Sequence, residues 1–137
     1  MTENKPDKPT LTICIVAKTE LCAQTAGCFM AIGSSGLIRE KVKLIQSIAM
    51  GQSDLPKARS QQISDWYKTA KKGDYFMFID SDQTFTDKDI VKSLNLTEKY
   101  DVVCGCYSRK NGIMTGEPKN VINFHLHQEG ELLYGAT

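Results

Sequence analysis

Residues 75–85 read YFMFIDSDQTF: five apolar or aromatic residues, then Asp80, Ser81 and Asp82. An unbroken apolar run of this length, bounded by polar residues, suits a strand covered on both faces, as in a parallel sheet. On an extended chain, side chains two residues apart project the same way, so Asp80 and Asp82 converge if strand geometry lasts two residues past Ile79. In open α/β sheets, ligands bind in the crevice beyond the carboxyl ends of the strands, which is where these acids would sit. Two carboxylates a few ångströms apart repel by about 4 kcal/mol at an effective dielectric of 20. A shared proton or a bound cation would offset that repulsion. Hard oxygen donors with no neighbouring Cys or His favour Mg²⁺ or Mn²⁺ over zinc.

The flanking sequence supports a sheet of this kind. LTICIVA (11–17) is a second continuous β-branched run, ending at the polar Lys18, Thr19 and Glu20. Leu21, Cys28, Phe29 and Ile32 follow at helical spacing, closed by Gly33-Ser34-Ser35-Gly36. VKLIQSI (42–48) is another strand candidate, and Pro56 suits the first turn of a helix whose apolar stripe is Ile63, Trp66, Tyr67 and Ala70. Lys71-Lys72-Gly73 ends that helix. After the acid pair, Thr86 and Asp89 form a capping-box pattern ahead of Ile90, Val91 and Leu94. DVVCGCY (101–107) is a fourth strand candidate, and VINFHLH (121–127) alternates as a strand that pairs with residues 132–134. Strands alternating with helices imply an α/β, Rossmann-like fold, a largely parallel sheet with helices on both faces.

At 137 residues the chain fits one domain, with residues 1–10 as a flexible leader and 11–137 as the folded unit. Seventeen Lys and Arg against sixteen Asp and Glu give a formal charge of +1, so no overall field recruits nucleic acid or an anionic membrane. No apolar run reaches the roughly 18 residues a transmembrane segment needs. The five cysteines are odd in number and form no C-x-x-C pair, which implies reduced thiols in a soluble, cytoplasmic protein.

The chain has a second D-x-D, Asp87-Lys88-Asp89, but it falls in a first helical turn where acids complement the dipole and cap the helix. Other chemistry-bearing residues have structural readings that outweigh functional ones. His125 and His127 share a half-buried strand face, Trp66 suits helix packing, and Arg109 and Lys110 suit a solvated surface. Glu117, Glu129 and Glu131 are candidate acceptor bases that equally suit solvated turns. Gly105, between Cys104 and Cys106, suits a close backbone or ligand approach.

Taken together, LTICIVAKTE, PKARSQQ, YFMFIDSDQTFTDKDI and DVVCGCYSRK resemble the nucleotide-sugar-dependent glycosyltransferases of the GT-A fold, over residues 11–110. The resemblance implies a metal-dependent enzyme that moves a sugar from a nucleoside-diphosphate donor, UDP-linked, to a hydroxyl on a glycan or protein-glycan acceptor. It places Asp80, Ser81 and Asp82 at the donor, with Asp80 and Asp82 holding Mn²⁺ or Mg²⁺. It also places Ala17, Lys18 and Thr19 against the nucleoside, and Arg59 near the base or diphosphate. Ser60 stands where the family's motif usually has asparagine. The resemblance further implies a domain truncated at its C-terminus, since the family draws a third metal ligand and an acceptor base from a later region.

FIDSDQTF also resembles the first motif of haloacid-dehalogenase-type phosphatases. That resemblance implies Asp80 as the phosphorylated nucleophile, Asp82 as acid/base and Thr84 as a phosphate contact. Against it, the motif normally opens its domain, whereas two β-α units come first here. A catalytically silent nucleotide-binding module of the same fold is the third reading.

Overall fold

A computed structural model describes residues 7–105. The elements are β1 (Thr10–Val16), α1 (Ala23–Ile32), α2 (Gly36–Lys41), β2 (Lys43–Ala49), α3 (Leu55–Thr69), β3 (Tyr75–Asp80) and α4 (Asp87–Leu96). The three strands form one all-parallel open sheet in the order β2-β1-β3.

β1 is apolar throughout its second half because it lies between two strands and beneath helices on both faces. Leu11, Ile13 and Ile15 pack with Phe29 and Ile32 of α1, Ile38 of α2, and Ile90 and Leu94 of α4. Cys14 and Val16, pointing the opposite way, pack with Ala58 of α3 beside Phe76 and Phe78 of β3. Each fully buried Leu or Ile contributes about 1.5–3 kcal/mol relative to exposure. The β1-to-β2 connection runs one way along the sheet, and the β2-to-β3 connection runs back over β1. Two right-handed crossovers of opposite sense must lie on opposite faces, which accounts for α3 standing apart from the other helices.

Small local contacts set the spacing of these layers. Gly33 has a helical φ of −60°, so its value lies in space and not in left-handed freedom. A Cβ there would come within 2.7 Å of the Gln46 side-chain oxygen, and the Gln46 amide donates to the Phe29 carbonyl. The Cys14 thiol donates to Gln62 Oε1 at 3.7 Å, and burial pushes its pKa up, leaving a neutral core thiol. Asp74, just ahead of β3, fastens the start of β1 to the turn that leads into β3. Its carboxylate accepts from the Thr10 N–H at 2.9 Å and the Lys71 N–H at 2.8 Å, and these amides hold its pKa below the usual carboxylate value.

Three expectations change. The stripe drawn through Ile63 and Tyr67 is exposed, at 44% and 77%; the inward face of α3 instead carries Ala58, Arg59, Gln62 and Trp66. Polar residues occupy it because each has a partner there, Gln62 on Cys14 and Arg59 on Asp80, while the Trp66 ring meets Phe76 edge-on at 5.4 Å. Gly33 to Gly36 is not a simple terminator, since Ser35 caps the short helix α2 through the Ile38 N–H and donates to Asp87 at 2.8 Å. The beginning of the expected fourth strand, residues 101–105, is not a strand. Its last two residues, the strands at 121–127 and 132–134, and His125, His127, Arg109, Lys110, Glu117, Glu129 and Glu131 lie outside the described residues. Residues 1–6 of the expected leader lie outside them too, while the Pro9 carbonyl already accepts from the Lys43 N–H of β2. No helix among the described residues is long and apolar enough to cross a membrane.

Candidate functional site

The strand order reverses between β1 and β3, so the crevice at their carboxyl ends is the switch point where open α/β sheets hold ligands. Val16 and Asp80 are Cα partners in the register, which sets the last residue of β3 abreast of the end of β1. The chain leaves β1 through Ala17, buried and with its backbone committed: its N–H donates to the Ala49 carbonyl at 2.9 Å, and its carbonyl accepts from Gln52 at 3.2 Å. Lys18 and Thr19 follow in an exposed bend. The Cys22 N–H, at the entrance to α1, donates to the Ser81 carbonyl at 3.0 Å. That bond ties the first helix to the loop carrying the acids.

Strand geometry stops at Asp80. Ser81 and Asp82 form a turn, closed by the Gln83 N–H on the Asp80 carbonyl at 3.3 Å. The convergence expected if strand geometry lasted two residues past Ile79 is therefore replaced by a turn, with Asp80 at the strand end and Asp82 exposed beyond it. Asp82 accepts from the Gln83 side-chain amide at 3.1 Å. Asp80 shares the α3 side of the sheet with Phe78, two residues earlier. Arg59 reaches over from α3: its Nη2 donates to Asp80 Oδ1 at 2.6 Å, its guanidinium carbon lies 5.8 Å from the Phe78 ring centroid, and its Nε is buried without a hydrogen-bond partner. The Arg59 and Asp80 side chains are 41% and 35% exposed.

Arg59 and Asp80, which the resemblance places near the base or diphosphate and at a metal, thus meet each other. The negative charge on the strand end has a protein counter-ion. Neither the Arg59 pairing nor the Cys22 contact has a signal in the sequence, since both depend on the packing of α3 and α1 against the loop.

The donor set consists of hard oxygens, two carboxylates and the Ser81 hydroxyl. Among the described residues, no three His, Cys, Asp or Glu side chains cluster as a metal cage. Mg²⁺ sites commonly use one or two carboxylates and leave the remaining positions to water and substrate phosphates, so Asp80 and Asp82 fit as the protein's share of such a set. The second D-x-D has the structural role its helix position implies: Asp89 accepts from the Thr86 N–H at 2.9 Å and hydroxyl at 3.2 Å, and Asp87 accepts from Ser35. Thr84, the phosphate contact of the phosphatase reading, is exposed. In comparison with protein-family models, curated proteins and solved structures, the chain matches none.

Proposed function

We propose that this chain is a metal-dependent glycosyltransferase domain of the GT-A type, moving a sugar from a nucleoside-diphosphate donor, UDP-linked, to an acceptor hydroxyl of a glycan or protein-glycan. The observation that supports this reading is the position of Asp80 and Asp82, at the carboxyl end of β3 beside the β1/β3 switch point of a parallel sheet. Asp80 and Asp82 would hold Mn²⁺ or Mg²⁺. When bound, the cation offsets the charge that accumulates on a departing nucleoside diphosphate. The chain's own residues do the remaining work. Arg59 supplies a positive charge on the same side of the sheet as Asp80. The Cys22–Ser81 bond orients the loop, and the exposed bend at Lys18 and Thr19 lies open to a nucleoside.

Calorimetric titration with UDP, with and without Mn²⁺, tests the proposal, and the expected result is binding that requires the metal. Metal-independent binding, or none in either condition, would count against it. A beryllofluoride adduct on Asp80 would favour the phosphatase reading. Nucleotide binding without donor turnover, in a protein extended at its C-terminus, would favour the silent module.

A further inference from the structure

We infer that Arg59 is an internal counter-ion that a divalent cation displaces from Asp80, so that loading the metal and releasing the guanidinium toward a phosphate form one exchange. The inference deepens the proposed function and rests on it for the identity of the phosphate ligand. Its physical basis is the ion pair itself. Arg59 Nη2 contacts Asp80 Oδ1 at 2.6 Å, occupying an oxygen that a cation would need. A divalent cation placed on Asp80 beside an unmoved guanidinium would meet like charge, so the two cations compete for one carboxylate.

The pair is built so that it can part. Both side chains are more than a third exposed, so separation strands no buried charge, in contrast to a fully buried pair. Arg59 is also incompletely satisfied where it lies, since its Nε is buried without a hydrogen-bond partner. Movement of the side chain alone suffices. Ala58, the preceding residue, is 5% exposed and anchors α3 against Cys14 and Val16, so the helix stays seated while the guanidinium leaves. A guanidinium released at this strand end carries the planar donor fork that suits a phosphate.

Competition has a reciprocal consequence: what weakens Arg59 on Asp80 must strengthen the cation there. The test is a titration with Mn²⁺ alone, with no nucleotide, on the wild type, Arg59→Gln and Arg59→Lys. Arg59→Gln should bind Mn²⁺ about fivefold more tightly than the wild type, the equivalent of about 1 kcal/mol for a solvent-accessible pair. Arg59→Lys, which keeps the charge, should stay within about twofold of the wild type by the same reasoning. Equal or weaker Mn²⁺ binding by Arg59→Gln, or no Mn²⁺ binding by any variant, would overturn the exchange. Thermal melting of each variant verifies that it is folded, and Arg59→Ala, for which the same gain in Mn²⁺ affinity is expected and whose equal or weaker binding would overturn the exchange, takes the place of Arg59→Gln if that variant is not. UDP binding is measured separately. A Mn²⁺ gain in Arg59→Gln without UDP binding by the wild type supports the exchange and overturns the glycosyltransferase reading.

Discussion

Truncating Arg59 and Asp80 to alanine, singly and together, isolates the energy of the contact at the end of β3. Full charges about 4 Å apart attract by about 4 kcal/mol at an effective dielectric of 20 and by about 1 kcal/mol in water. The side chains here are 41% and 35% exposed, which places the pair near the aqueous limit. Ordering a long arginine opposes the attraction further. The expected coupling is therefore about 1 kcal/mol. The single variants should not be equivalent, because Arg59→Ala also removes the guanidinium from the Phe78 ring, 5.8 Å away, a contact worth about 0.5–1 kcal/mol at an accessible position. Arg59→Ala should thus cost about 1.5–2 kcal/mol and Asp80→Ala about 1 kcal/mol, and the cycle subtracts the ring contact. Urea unfolding in metal-free buffer measures all four proteins. Repetition near 1 M salt, where the Debye length falls to about 3 Å, should reduce the coupling. A coupling above about 2.5 kcal/mol that ignores salt would mean that the pair behaves as buried. A coupling indistinguishable from zero at low salt would mean that Arg59 does not hold Asp80 in solution.

Two further outcomes test the scaffold beneath the site. Asp74 is held below its ordinary pKa of 3.8 by the amides of Lys71 and Thr10, so its stabilising effect is present above the unfolded-state value and fades as pH falls through the folded one. The stability gap between wild type and Asp74→Asn should hold steady from about pH 5 to 8 and shrink below about pH 4; a gap that widens in acid would reverse the assignment. Ile13, with 0% exposure at the centre of β1, should cost about 2–5 kcal/mol as Ile13→Ala and about 0.5–1.5 kcal/mol as Ile13→Val. Denaturant unfolding that shows under 1 kcal/mol for the alanine variant would argue against a central strand covered on both faces.

The strands were legible where apolar residues run without interruption. LTICIVA and the YFMFI run both read as strands covered on both faces, and both are strands with an end shifted by one residue, but only β1 is buried; every residue of β3 is half-buried. The α4 start was legible because Thr86 and Asp89 are three residues apart and bond within one turn. The face of α3 was misread because periodicity counts apolar residues, and here Arg59 and Gln62 point inward to partners supplied by other strands. The short helix α2 was missed because Ser35 and Gly36, where it starts, also read as the glycine- and serine-rich end of α1, and its six residues are too few to show a period.

Sequence alone determined that an apolar strand would end in two acids at the carboxyl end of an α/β sheet, since hydrophobic runs and their polar ends are local properties of the chain; β3 itself is only half-buried. Tertiary structure decided what those acids meet. The β1/β3 register sets Asp80 level with Val16, and the seating of Ala58 on the sheet brings Arg59, twenty-one residues earlier, to 2.6 Å from Asp80. A charge pair of that separation forms through the packing of one element on another, and no period along the chain encodes it.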